Sequence, residues 1–372
     1  MSLPLYKIKP RSVFGVFSFL SSTLFSYSAV ASDNEWRVFT ELNTVNYSES
    51  FAIESILSDI KPGDPFTENG EATFTQTEWV IGAAKDRWEL GLFVRFDFLA
   101  DYEPDAARFI YADATDDVVP NGNYDIFIDV NQVQTEGARL AYEWPVSSTF
   151  TLTPRVSGFI ARNMIDGVLE GNIMLDDNVV SEGMLTLDYF FTKDQIFLRP
   201  SEKNIGHGFS LDLFADWDVS PSIAVQASVF DLFSGIYWRD HTGTIADATT
   251  AISRTEDNGL LIVRPTLQGQ NLREDYTQKF PTKVNVSGQY NIDDKWLLSQ
   301  SLYFIGESVL AESEIGLNLG QESYIGANYE WESGGLGFRV RWKGVSLGFA
   351  ADSFSPTEAR YAKLNIGLSQ RF

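Results

Sequence analysis

The stretch RWELGLFVRFDFL (87–99) alternates with a period of two, and this pattern constrains the chain more than any other. Trp88, Leu90, Leu92, Val94, Phe96 and Phe98 share one face, while Glu89, Gly91, Phe93, Arg95 and Asp97 share the other. Successive side chains of an extended strand point to opposite faces, so this is a strand with one apolar and one mixed side. GLGFRVRWK (335–343) repeats it, with Leu336, Phe338, Val340 and Trp342 opposite Arg339, Arg341 and Lys343. In GHGFSLDLFADWDV (206–219), Phe209, Leu211, Leu213, Ala215, Trp217 and Val219 oppose Ser210, Asp212, Phe214, Asp216 and Asp218.

Residues 1–31 read as a separate object. Lys7, Lys9 and Arg11 precede the short apolar run 13–25, and Ala29-Val30-Ala31 offers small residues to a signal peptidase. A cleaved export signal is expected, ending at Ala31. Its removal takes the formal charge from −23 to −26, since it carries those three cations and no acid. So acidic a chain repels nucleic acid. Without cysteine there is neither a disulfide framework nor a thiolate metal site, so an exported chain must rely on burial or a closed sheet.

After Ala31 no run is apolar over the 18 or more residues of a helical membrane span. The alternating segments are instead about 9–14 residues long, the length of a tilted membrane strand. Tight connections at 85–87, 145–148, 220–222 and 291–295 alternate with long polar excursions near 47–71, 100–125, 163–182 and 238–279. Tyr142, Trp144, Trp217, Trp238, Trp296, Tyr329 and Trp331 stand near strand ends, where interfacial girdles are expected. The chain closes on AKLNIGLSQRF (362–372), with Leu364, Ile366, Leu368 and Phe372 on one face. That ending resembles the signal by which Gram-negative barrels are recognised by their assembly machinery. The fold expected is all-β: an outer-membrane antiparallel β-barrel over 32–372, of 14 strands with 16 as the alternative. The uncertain pair lies at 190–200, and Pro154 interrupts another strand.

Two stretches, 206–238 and LQGQNL…KFPTKVNVSGQYNIDDKW (267–296), resemble the group of barrels related to long-chain fatty-acid transporters. The resemblance implies transport across the outer membrane and carries no chemistry. Members of that group have an N-terminal plug. Here EWRVFTELNTV (35–45) already reads as the first strand, so no plug is expected and no binding residues are carried over.

Three functional readings follow. In the first, the barrel is a channel or facilitator for a small polar or amphipathic solute. Arg139, Arg155, Arg339, Arg341, Lys343, Lys363 and Arg371 are then expected in the lumen, opposed by Glu41, Glu89, Asp97, Asp212, Asp216 and Asp218. Such charges either set up a transverse field that sorts solutes or pair and brace the wall. Interior Phe39, Phe93, Phe159 and Phe214 suggest a partly filled lumen. In the second reading the lumen is blocked and long acidic loops bind an external partner. The third is an outer-membrane hydrolase using His207 or His241. Ser210 lies three residues from His207, and such neighbours in a strand point apart, against nucleophile–base geometry. Asp105, Asp113, Asp116, Asp117 and Asp125 lack calcium-loop spacing and read as a solvated acidic loop. No cofactor, metal or nucleic acid is expected. The partners expected are outer-membrane lipid, lipopolysaccharide, the barrel assembly machinery and an unidentified small solute.

Overall fold

The computed structural model describes residues 35–372 apart from 177–178, 195, 198, 200–203, 256–260 and 321–322. The export signal expected over 1–31 lies outside the described residues. In chain order the elements are β1 (Trp36–Ser48), α1 (Ile53–Leu57), β2 (Ala72–Lys85), β3 (Trp88–Tyr102), α2 (Pro104–Thr115), β4 (Gly122–Tyr142), the two-residue β5 (Trp144–Pro145) and β6 (Phe150–Asp176). There follow β7 (Val179–Phe191), β8 (Gly206–Ser220), β9 (Ile223–Thr255), β10 (Leu261–Gln278), β11 (Lys283–Asn291) and β12 (Trp296–Ile305). The last are β13 (Ser308–Gly320), β14 (Ser323–Glu330), β15 (Leu336–Trp342), β16 (Val345–Ala351) and β17 (Tyr361–Arg371).

Fourteen of these strands close a barrel. The antiparallel order is β1, β2, β3, β4, β6, β8, β9 and then β11 to β17, with β17 returning to β1 from Arg37↔Arg371 to Tyr47↔Tyr361. Closure leaves the wall no free edge, which a strand-built membrane span requires. Short turns gather at the end that holds both chain termini. Asp86 and Lys343 take positive φ there, at 54° and 47°. Pro154 sits where the β4–β6 ladder, ending at Ala141↔Arg155, gives way to Trp144↔Leu152, so its missing N–H falls at a break in pairing.

Two excursions expected as loops, 163–182 and 238–279, are largely strand. β6 and β9 run on past the wall for a further ten residues or more and, with β7 and β10, build an extension in the order β4, β6, β7, β9, β10. Their alternation is diluted by Asp, Asn, Glu and Thr, which hid it. The uncertain region 190–200 holds no added wall pair. β7 ends at Phe191, and the wall resumes with β8 at Gly206.

The extension reverses the polarity of the wall beneath it. Phe98, Ala100 and Tyr102 continue the outward register of β3 and, with Tyr124, Ile126, Ile173 and Leu185, form an apolar cluster. α2 covers that cluster with Ala106, Ala107, Phe109 and Ile110. Pro104 stands at the N-terminus of α2, where its missing N–H costs nothing, and Asp116 ends it in the left-handed region at φ 57°. Half of the expected acidic loop 102–125 is therefore helix. Among the described residues no group of three or more His, Cys, Asp or Glu could hold a metal ion. A bulge at Asn163 (φ 52°) shifts the register of β6 by one. Asp166, Glu170, Asp188 and Asp247 then share the inner register of the extension with Asp129, which makes that face an acidic vestibule above the barrel.

A second outward cluster, Leu187, Tyr189, Phe191 and Ala246, is covered by Ile196 and Phe197. Buried Asp194 ties that cover down, accepting hydrogen bonds from Tyr189 Oη (2.6 Å) and from the Ile196 and Phe197 amides (3.1 and 2.8 Å). Burial opposes its charge, but these bonds and Arg199 outweigh it and hold the carboxyl below the ordinary carboxylate range. With the folded pKa depressed, the anchor is at full strength above the ordinary carboxylate pKa and is lost as pH falls through the lowered one. Hydrogen exchange should show Ile196 and Phe197 amides losing protection only in strong acid, whereas Asp194→Ala exposes them at every pH.

Candidate functional site: the barrel lumen

Alternation decides what the lumen contains. On the lipid side Trp88, Leu90, Leu92, Val156, Phe338 and Leu368 are exposed. Trp36, Trp88, Trp144, Trp217, Trp296 and Trp342 form an outward girdle at the short-turn end, while Tyr329 and Trp331 stand near the other. Trp238 departs from expectation. It is fully buried and points inward, because Gly206 and Ala161 on the neighbouring strands leave a bay for its indole.

The inner face carries an aromatic cluster and an ionic network on shared strands. In the cluster Phe39, Val80, Phe93, Phe159, Ile236, Trp238 and Phe280 pack together. Glycine makes this possible. A Cβ on Gly208 would stand 2.3 Å from the Phe159 ring, and one on Gly82 would stand 2.6 Å from Phe39. Phe214, also buried, lies edge-on to Phe230 at 5.5 Å.

The network is ionic and paired, and it shares β3, β6 and β9 with the aromatics. Asp231 takes φ 56° in a bulge of β9, where Phe230, Asp231 and Leu232 stand opposite the single residue Asp212. This turns its carboxylate inward onto Arg95 (2.6 Å), Lys283 (2.8 Å) and Ser210 (2.8 Å). Asp97 completes the centre with Lys283 at 2.8 Å and with Arg95. Arg155 holds Asp212 at 2.8 Å, and Arg139 holds Glu78 at 2.6 Å and Glu89 at 3.4 Å. Across the lumen Arg339 meets Glu312 and Glu314, and Lys363 also meets Glu312.

Of the residues expected to line the lumen, Arg139, Arg155, Arg339, Lys363, Glu89, Asp97 and Asp212 enter these pairs. Arg341 lies 5.6 Å from the Tyr324 ring. Glu41 is half-buried on the inner register, and Asp216 accepts from Gln226 at 2.7 Å. Three do not reach the interior. Lys343 is exposed in the turn after β15, and Asp218 and Arg371 are exposed at the short-turn rim, because the wall ends before the alternation does. Among the described residues the two signs interleave and pair. Sequence reasoning missed Asp231, Lys283, Glu78, Glu312 and Glu314. Glu78, Glu312 and Glu314 sit on the inner register of alternating segments, a signal that was there to read. Asp231 sits in a bulge, which alternation cannot anticipate.

The histidines stay apart from any nucleophile. His207 is exposed on the outer face, Ser210 is buried on the inner face, and His241 is fully buried, its ring 4.9 Å from that of Trp238. A cavity of about 120 Å³ lies within the ionic part of the lumen. Arg95, Arg155, Lys283 and Lys363 line it with Glu78, Asp97, Glu312 and Glu330, so its charges balance. Val45, Phe230, Leu310, Tyr303 and Tyr361 supply its apolar wall.

These features define a class: a fourteen-stranded β-barrel of the outer-membrane type. No protein-family model matches the chain, and no curated protein matches it. Among solved structures, it is similar to the toluene transporter TodX of Pseudomonas putida, with 10% identity over 92% of this chain and 90% of that one at a TM-score of 0.39. The monoaromatic hydrocarbon channel CymD is similar at 10% identity, covering 91% and 88% with a TM-score of 0.35. A Pseudomonas aeruginosa FadL homologue is similar at 10% identity, covering 91% and 88% with a TM-score of 0.29.

Proposed function

We propose that the protein is a non-enzymatic outer-membrane channel for a small amphipathic solute that is uncharged or zwitterionic. The observation that carries this reading is the charge-balanced cavity of the lumen, where paired ions and the apolar faces of Phe230, Tyr303, Leu310 and Tyr361 line one space. Such a surface offers an apolar body and a polar end separate places to rest, and favours neither net sign. The vestibule adds a filter, since its carboxylates repel anions before they reach the lumen. Asn285, whose side-chain oxygen has no partner in the described structure, offers a free acceptor in the cavity wall.

Planar-bilayer recording tests this. Under a salt gradient the folded barrel should open with a preference for cations, and that preference should fall when Glu170, Asp188 and Asp247 are neutralised together. Anion preference, or selectivity indifferent to those changes, would rule out the vestibule as filter. The packed aromatic cluster favours a second reading, a surface barrel with a closed lumen. An inserted barrel that stays silent in the bilayer and passes no neutral solute would decide for it.

A further inference from the structure

The four residues 279–282, between β10 and β11, leave the wall and lie inside the lumen. The β9 ladder pairs Gln278 with Ile236 and Lys283 with Phe230, and has no pair between them. Side chains hold the strap instead. Ser234 Oγ accepts from the Phe280 amide at 3.1 Å, Thr282 Oγ1 donates to the Asp231 carbonyl at 3.3 Å, and Asn131 Nδ2 donates to the Lys279 carbonyl at 2.9 Å. Asn131 belongs to β4, so the strap bridges the lumen from β9 to the far side of β6 and β8. Phe280 fills the gap beneath it, with its ring centroid 5.6 Å from that of Phe159 and 4.1 Å from the Arg95 guanidinium.

Polar groups around the strap are unsatisfied. Among the described residues, Trp238 Nε1, both ring nitrogens of His241 and Gln278 Oε1 are buried with no hydrogen-bond partner. Buried polar atoms are nearly always paired, and leaving one unpaired has a cost that water or a solute relieves. A segment tied by a few side-chain bonds, over a neck whose polar groups lack partners, is built to move.

We propose that residues 279–282 are the gate of the lumen: Phe280 closes it, and displacement of the strap opens it and offers Trp238 and His241 to the polar end of the passing solute. This rests on the channel reading and adds the moving part to it.

The chain has no cysteine, so one engineered pair can be locked without competition. Asn131→Cys with Lys279→Cys pins the strap to β4 on oxidation and leaves Phe280 in place. Entry of arabinose and of glycine into liposomes holding the full barrel is then measured by swelling. The oxidised barrel should pass both several-fold more slowly than the same barrel treated with dithiothreitol, and Phe280→Ala alone should be faster than the wild type. Equal rates before and after reduction would show the strap to be static and overturn the gate while sparing the channel. If wild type, reduced pair and Phe280→Ala are all impermeable, the channel reading falls and takes the gate with it.

Discussion

Asp231→Asn should lower the unfolding free energy of the barrel by about 3–5 kcal/mol, the cost of removing one partner from a buried ion pair. Asn keeps the shape of the side chain and tolerates the left-handed backbone at this position, so the loss reports charge. Asp231 is the hub at which Arg95 and Lys283 meet, and the variant leaves two buried cations to share Asp97. Equilibrium urea unfolding in lipid vesicles measures the change. Asp216→Asn supplies the comparison: half-buried and accepting a hydrogen bond from Gln226, it should cost about 1 kcal/mol. Equal small losses at both sites would mean that the ionic wall contributes nothing beyond ordinary hydrogen bonds.

The second large effect belongs to the opposite face. Leu92 stands mid-strand in β3, 61% exposed and directed at lipid. Leu92→Arg should cost about 2–4 kcal/mol, the range for a cation near the bilayer midplane. Gln289→Arg, on the inner register of β11, should cost little, because the cation enters a polar lumen. Similar costs at the two positions would contradict the assignment of faces on which the lumen rests.

Wall and lumen differed in how readily the sequence disclosed them. Period-two alternation over 87–99 and 206–219 located two of the wall strands, and the tight turns at 85–87 and 220–222 fell where expected, because burial on one face and lipid on the other write a regular code. The strand number of 14 followed from the same code. The extension escaped it, since there the outward face meets protein instead of lipid and its apolar residues are spread among acids. The ionic centre escaped for a different reason. Asp231 owes its inward direction to a bulge, and Lys283 owes its position to a strap crossing the lumen. Both depend on pairings between distant strands. The inward aromatics were legible, because Phe39, Phe93, Phe159 and Phe214 sit on the same register as the polar residues around them.

The uneven height of the wall acts on the membrane around it. β15 and β16 have seven residues each and β14 eight. Seven residues rise about 24 Å, and a tilt of about 40° reduces that span to roughly 18 Å. The hydrocarbon core of an ordinary bilayer is about 30 Å thick. Lipids beside β14 to β16 must therefore compress and splay, whereas those beside β6, β8 and β9 meet a wall of full height. One flank of the barrel thus carries a collar of strained, thinned bilayer, and it lies beside the seam where β17 joins β1.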